Sequence, residues 1–284
     1  MTDSLVRLSN DQPETAAPHR IARVRHDLRF RVLTVARVAN VTPKMRRITL
    51  TGEDLAGFTS SGFDDHVKLF FPRDGETEPT VPTLGPDGRV LVDESARPIA
   101  RDYTPRRFDA AANELDIDFA IHEAGPATRW ALTAKKGDRI GVGGPRGSFV
   151  ISDDFDWYLF VGDETALPAI GRRLEELRVG ARAIVLAEVE GMAERQIFDS
   201  AAFVTTIWLH RDAGQPGTTT LMDDALRGLE LSDGDGFVWV ACEIETAKRL
   251  RRILVEHHRH PKVWLKAAGY WKRGAANVHA SIDD

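Results

Sequence analysis

The sequence predicts two domains, an N-terminal antiparallel β-barrel and a C-terminal α/β domain built on a parallel sheet. Three observations carry this reading. The 284 residues, 42 % of them apolar, are enough for two modest cores. In the first half, short apolar runs are punctuated by glycine and proline, as at Gly85-Pro86-Asp87-Gly88 and Gly143-Gly144-Pro145-Arg146-Gly147. After about Asp156, apolar strands alternate with helical faces, the pattern of a parallel sheet covered on both sides.

Taken in order, Met1 to Arg20 is polar, contains Pro13 and Pro18 and lacks the apolar stretch of a signal peptide. Residues 1–29 are read as a flexible tail. Leu33–Val35 with Val38, Arg47–Leu50, Val67–Phe71 and Val90–Val92 then read as strands of a barrel domain over residues 30–152. Leu115, Ile117, Phe119 and Ile121 alternate with Asp116, Asp118, Ala120 and His122, the period of a half-buried strand. Gly125-Pro126 suits a loop entering a short helix over Ala127–Ala134, because proline is favoured at the first helical position. A boundary near Ile151–Asp156 opens the second domain, residues 153–284. Its strands are Tyr158–Val161, Ala183–Ala187, Val204–Leu209, Phe237–Ala241 and Val263–Lys266. Between them, helical faces are marked by Leu167, Ile170, Leu174 and Leu177, by Leu221, Ala225 and Leu226, and by Ala247, Leu250, Leu254 and His257. A further short helix is expected near Ala193–Phe198.

Charge and composition exclude several classes. A net charge of −5 argues against a protein devoted to nucleic acid. No apolar run approaches the roughly 20 residues of a membrane span. A lone cysteine, Cys242, rules out an internal disulfide and any CxxC metal ligation, and fits a reducing, cytoplasmic setting.

The most informative segment is Arg101-Asp102-Tyr103-Thr104-Pro105-Arg106. In an extended chain Arg101 and Tyr103 point one way and Thr104 the other. A guanidinium suits a pyrophosphate, a phenol ring can stack on isoalloxazine, and a hydroxyl can hydrogen-bond near its redox nitrogen. On chemistry alone, an edge strand with solvated charges explains the segment equally well. Free N–H groups at the start of the Ala127–Ala134 helix would form an anion site suited to a cofactor phosphate. Trp130 either covers an adenine or fills the core.

These segments, with Asp65–Leu69, Gly144–Ser148, Gly162–Pro168, Val238–Ala241 and Gly269–Gly274, resemble the siderophore-interacting proteins, a branch of the ferredoxin-reductase-like flavoproteins. The resemblance spans roughly residues 30 to 275. It implies an FAD-binding barrel followed by a nucleotide-binding α/β domain. It implies FAD contacts from Arg101, Asp102, Tyr103 and Thr104, from Asp118, Phe119, Ala120, Ile121 and His122, and from Thr128, Arg129, Trp130 and Ala131. Thr165, Tyr270 and Trp271 would approach the flavin from the second domain. The implied reaction is reduction of a ferric siderophore with release of ferrous iron, by an enzyme expected to be a monomer that draws electrons from NADH, NADPH or a reduced ferredoxin. Asp163, Glu164, Thr165, Ala166, His210 and Arg211 would meet the donor. Lys44, Lys272 and Arg273 would line the entrance for an anionic iron complex.

The sequence departs from a dinucleotide reader in having no GxGxxG after Phe160-Val161-Gly162. Asp163 and Glu164 stand there instead and are expected to cap the following helix, where they would repel a pyrophosphate. His210-Arg211, at a strand end, reads equally as an adenosine-phosphate contact or a solvated pair. Cys242 reads as a small buried residue, and Glu243 as a possible start of the next helix. His257, His258 and His260 read as a polar helix terminus, so no metal site is expected. Two alternatives stay open: a general NAD(P)H:flavin or ferredoxin reductase, and a flavin-containing siderophore-binding protein without efficient turnover.

Overall fold

The computed structural model describes residues 19–93, 97–122, 125–275 and 280–282. The first domain contains β1 (Ile21–Arg25), β2 (Phe30–Thr42), β3 (Met45–Thr51), β4 (Val67–Phe71), β5 (Thr83–Leu84), β6 (Val90–Leu91), β7 (Ile99–Tyr103), β8 (Pro105–Asp109), β9 (Glu114–Ala120), β10 (Arg139–Gly143) and β11 (Gly147–Ile151), with one helix, α1 (Pro126–Thr133). Seven of these strands form a curled antiparallel sheet in the order β7-β4-β10-β2-β3-β9-β8. Its two edges, β7 and β8, are joined through Thr104 but share no ladder, so the barrel is a half-barrel. Register shifts between Val35 and Arg37 and between Asn40 and Thr42 interrupt the long β2 where it pairs with β3, and such irregularities let a strand bend.

The core of this domain is made by one face of each strand: Leu33 and Val35, Ile48 and Leu50, Val67, Leu69 and Phe71, and Leu115, Ile117 and Phe119. The expectation of a half-buried β9 needs correction, since its acidic face is also covered. Arg47, one strand away in register with Asp118, donates to both its oxygens (2.7 and 2.8 Å), and Arg107 donates to Asp116 (3.0 Å). The expected tail is also shorter than 1–29, because Ile21–Arg25 pairs antiparallel with Gly147–Ile151. Residues 1–18 lie outside the described residues.

The second domain runs β12 (Trp157–Asp163), α2 (Leu167–Glu176), β13 (Arg182–Val189), β14 (Phe203–His210), α3 (Leu221–Arg227), β15 (Gly236–Glu243), α4 (Ile244–Arg252), β16 (Leu265–Trp271) and β17 (Ala280–Ser281). The sheet order is β14-β13-β12-β15-β16-β17, parallel except for β17. The face carrying Tyr158, Phe160 and Trp239 packs on α2 through Leu167, Ile170 and Leu174. The opposite face packs on α3 and α4 through Met222, Leu226, Ala247, Leu250 and Leu254. The helix expected near Ala193–Phe198 is a single 3-10 turn, Met192–Glu194. Beyond it the chain is extended, and Phe198 stacks on Trp208 with ring centroids 6.0 Å apart. The last long strand begins at Leu265, two residues later than expected, because Pro261 opens a 3-10 turn over Lys262–Trp264.

The domains share one apolar cluster, in which Met45 and Phe63 of the first pack with Phe160 and Trp239 of the second. Polar bolts surround it. Arg106 forks onto Glu175 of α2. Arg172 donates to Ser60 Oγ (2.9 Å) and the Pro105 carbonyl (3.0 Å). His19 clasps the linker, with Nδ1 at 3.2 Å from Asp154, Nε2 at 2.9 Å from Asp235, and its ring stacked on Phe155. Burial alone would lower the His19 pKa, but the hydrogen bonds to Asp235 and Asp154 outweigh it and hold it above the ordinary value. The folded state therefore keeps this proton more strongly than the unfolded chain. The clasp's contribution is complete below the ordinary histidine pKa and is lost as pH rises through the elevated folded value. Thermal melts across this pH range should show the wild-type advantage over His19→Gln shrinking as pH rises; an advantage that grows instead would refute the clasp.

Candidate functional site

The site lies where the half-barrel meets the carboxyl edge of the parallel sheet. On the barrel side, β7 delivers Arg101, Asp102 and Tyr103. The Arg101 guanidinium donates only to its own Ala100 carbonyl (2.7 Å) among the described contacts, so most of its donors stay open. Asp102 is held by Lys68 at 2.6 Å and is committed to that pair. Tyr103 leans against Phe119 with centroids 4.4 Å apart. Trp130 packs on Phe71 and Phe119, at 5.6 and 5.8 Å, so its ring helps close the core rim. Phe119 is itself core, and Asp118 is taken by Arg47; these two belong to the scaffold beneath the site. Ala120, Ile121 and His122 follow at the strand end, where the Ile121 amide donates to the Lys44 carbonyl (2.8 Å).

Helix α1 starts at Pro126, and Gly125 before it makes no side-chain cap. A Cβ placed on Gly125 would meet nothing within 4 Å, so the first turn opens onto free space. Thr128 and Ala131 are buried and Arg129 is exposed. An uncapped helix start, an uncommitted guanidinium and a half-buried phenol are groups whose chemistry fits a dinucleotide flavin, the first two suiting phosphates and the third an aromatic ring.

On the sheet side the strand ends converge. A Cβ at Gly162 would fall 2.4 Å from Ala166 Cβ and 2.6 Å from the Ala241 carbonyl, so only glycine lets this turn press against β15. The expectation that Asp163 and Glu164 cap α2 is wrong. The helix starts only at Leu167, after Ala166, which makes no side-chain cap. Asp163 is buried and accepts from the Thr165 amide (3.0 Å), the Thr165 hydroxyl (2.5 Å), the Glu243 amide (3.2 Å) and Trp271 Nε1 (2.8 Å). Burial and the neighbouring Glu164 push this carboxyl up to about 7, against the pull of those donors. Glu164 forks with Arg211, whose side chain is 3 % exposed. That corrects the phosphate role expected of Arg211: its charge is spent on Glu164 and faces Glu188 at 3.8 Å. His210 receives Arg195 Nε at 3.0 Å. Glu243 caps α4, accepting from the Glu245 and Thr246 amides (2.8 and 3.1 Å). Cys242 is fully buried, and burial raises its thiol well above the ordinary range, so it is no nucleophile.

The two sides touch. Tyr270 from β16 packs edge-on against Trp239, with ring centroids 5.9 Å apart, and it and Ala120 of β9 border the same shared cluster. Lys44 does not stand free at an entrance but pairs with Glu190, while its amide is bound by Glu194 (3.1 Å). Lys272 and Arg273 are exposed just beyond Trp271. His257 and His258 close the end of α3 through the Arg227 and Leu226 carbonyls, at 3.2 and 2.7 Å. Sequence reasoning missed Asp64, which accepts from Trp239 Nε1 (3.0 Å) and Lys266 Nζ (2.6 Å) beneath Tyr270. Only the adjacent pair Asp64-Asp65 hinted at it, and no spacing rule marks such a contact across 175 residues.

Comparison with known proteins gives a consistent picture. A family model described as the siderophore-interacting FAD-binding domain matches residues 34–149, and one described as siderophore-interacting protein matches residues 155–274. An NADPH-dependent ferric-chelate reductase of Escherichia coli is 41 % identical over 254 residues, 88 % of this chain and 95 % of that protein. A ferric vibriobactin reductase of Vibrio cholerae is 34 % identical over 86 % of this chain and 90 % of its own length. The crystal structure of a siderophore utilization protein from T. fusca superposes with a TM-score of 0.85 at 42 % identity, covering 91 % of this chain and 98 % of that one.

Proposed function

The chain belongs to the siderophore-interacting protein family, and from that membership we propose that it is an FAD-dependent reductase of ferric siderophores with NADPH as donor. The observation that carries the reading is the shared cluster in which Met45, Phe63 and Ala120 of the barrel pack with Trp239 and Tyr270 of the second domain. It brings the end of β9 in the barrel against the aromatic strand end of the second domain. FAD held there would supply the conversion of a two-electron hydride donor to the one-electron steps that a ferric acceptor requires.

The residues provide placement and electrostatics. Arg101 and the open first turn of α1 hold the cofactor's phosphates. Tyr103 supports one edge of the ring, and Thr104 and Tyr270 define the edge facing the second domain. Burial keeps both phenols above their ordinary pKa, so neither adds charge beside the ring. Asp163 fixes the Trp271 indole and the Thr165 turn, where the donor approaches. With Gly162 followed by Asp163 instead of a glycine-rich phosphate loop, and Arg211 spent on Glu164, the strand end offers a pyrophosphate little hold, which suits a donor that binds, transfers hydride and leaves. Lys272 and Arg273 form the positive rim for an anionic iron complex, with Lys44 a member only when it leaves Glu190. The enzyme is proposed to act as a cytoplasmic monomer.

The test is an anaerobic absorbance titration of the FAD-loaded protein with NADPH, NADH or reduced ferredoxin, followed by a ferric siderophore and a ferrous trap. The expected result is bleaching by NADPH and recovery of the flavin band as ferrous iron appears. Flavin that no donor reduces would replace this reading with that of a siderophore-binding protein.

A further inference from the structure

We propose that the half-barrel carries a second binding site, remote from α1, for a small multivalent oxyanion such as phosphate or a compact polycarboxylate. The proposal does not rest on the ferric-reductase reading. A cavity of about 280 Å³ lies among the loop between β1 and β2, the turn after β3 and the turn after β10, lined by Arg25, His26, Arg29, Arg31 and Thr59, among others. The pairing register puts it at the Phe30–Gly143 end of the sheet. Ala120, by contrast, pairs with Met45 at the other end, where β9 runs on towards α1.

Arg31 is the decisive residue. It is 5 % exposed, yet it makes no ion pair among the described residues. Its Nε donates to the Asp54 carbonyl (2.9 Å), its Nη1 to the Gly144 and Arg29 carbonyls (3.0 and 3.5 Å), and its guanidinium lies over the Phe58 ring at 5.2 Å. Other buried arginines here are matched by carboxylates: Arg106 by Glu175 and Arg211 by Glu164. The Asp54 carboxylate, bound to the neighbouring Val32 amide, favours the charge, but burial and the like charge of Arg29 outweigh it and lower the Arg31 pKa. A buried charge so incompletely matched is costly, so further countercharge is to be sought outside the chain. Arg25 and Arg29 are exposed and make no ion pair among the described residues, even with Asp27 on the same rim.

His26 forms part of the wall and is held in place there: its Nε2 is 2.7 Å from Ser148 Oγ, which donates to Asp65 (2.6 Å). Gly57, with φ of +72°, keeps the wall open: even a Cβ there would stand 3.6 Å from the Arg29 guanidinium. Three guanidinium groups around one cavity match an oxyanion of charge two or more.

The experiment is thermal melting of the purified full chain at constant ionic strength in chloride, phosphate, citrate or adenosine 2′,5′-bisphosphate. At about tenfold above Kd, the matching anion should raise Tm by roughly 3 °C over chloride. A response to phosphate and bisphosphate alike identifies a phosphate group; a response to phosphate alone identifies the free ion, and one to citrate alone a polycarboxylate. The Arg25→Gln/Arg29→Gln variant removes only exposed, unpaired charges and should keep its flavin while losing the response. Arg31→Met should also lose the response, but it strips the Asp54 and Gly144 carbonyls of their donor and should melt below wild type in chloride, so the double variant is the deciding one. Equal melting in all four anions, or a response that survives in the double variant, would overturn the proposal.

Discussion

Arg101→Ala should leave the purified protein colourless. Arg101 is half-buried on β7, and its one contact among the described residues is to the carbonyl of the preceding residue. Removing it strands no partner and opens no core cavity, so the fold should lose well under about 1 kcal/mol. The cofactor, by contrast, loses charge-assisted hydrogen bonds worth roughly 1.5–3 kcal/mol each. Two such bonds weaken binding by a factor on the order of 10² to 10⁴. The measurement is flavin per protein after gel filtration, with far-UV circular dichroism alongside. Arg101→Lys should fall between, because an ammonium keeps the charge but not the fork. A folded Arg101→Ala protein with wild-type flavin content would remove the pyrophosphate from this strand and undo the assignment of the cofactor site.

How far the sequence told this in advance differs between the two halves of the site. The alternation of β9 and the strand–helix rhythm after Asp156 are local periodicities, and they placed nearly every element within a few residues. Arg101, Tyr103 and Thr104 stand out in the sequence because three chemistries share one short segment, and their hold on a flavin is a proposal that the Arg101→Ala experiment tests. What stayed hidden depends on pairing over long separations. Asp118 was expected at the flavin, but the register that sets it opposite Arg47 is a property of the folded sheet. Arg211 reads equally as a phosphate contact or part of a solvated pair, yet it is buried and cancelled by Glu164, 47 positions earlier in the chain. The error over Asp163 has the same root. An acid before a helix suggests a cap when only neighbours are considered, but here the acceptor is turned inward to Trp271, 108 residues away. The Arg31 cavity escaped for the opposite reason: the missing partner of a buried charge can be seen only once all candidate partners have been placed.

Trp239→Ala should be the most damaging single change at the domain joint. The side chain is fully buried on β15 and meets Phe63 (5.4 Å), Phe160 (6.5 Å) and Tyr270 (5.9 Å), so it touches both domains and the aromatic end of the site. Truncation to alanine costs about 3–5 kcal/mol for such a site, because the lost burial is joined by a cavity. It also strips Asp64 of its indole donor, leaving Lys266 to hold a carboxylate whose other oxygen is already buried without a partner. The melting temperature should fall by roughly 10 °C. Trp239→Phe separates the two effects: it keeps most of the ring, loses only the hydrogen bond and should cost about 1 kcal/mol. The consequence for function follows from geometry. Among the described contacts, Trp239 meets neither Arg101 nor Tyr103, so well below its melting temperature Trp239→Ala should still bind FAD. Tyr270, however, loses the ring it packs against, so NADPH should reduce the bound flavin more slowly while the flavin's dissociation constant stays near wild type. Stopped-flow reduction and a flavin titration read the two separately. If both change together, the joint positions the cofactor itself; if neither changes while the protein melts early, Trp239 is only core.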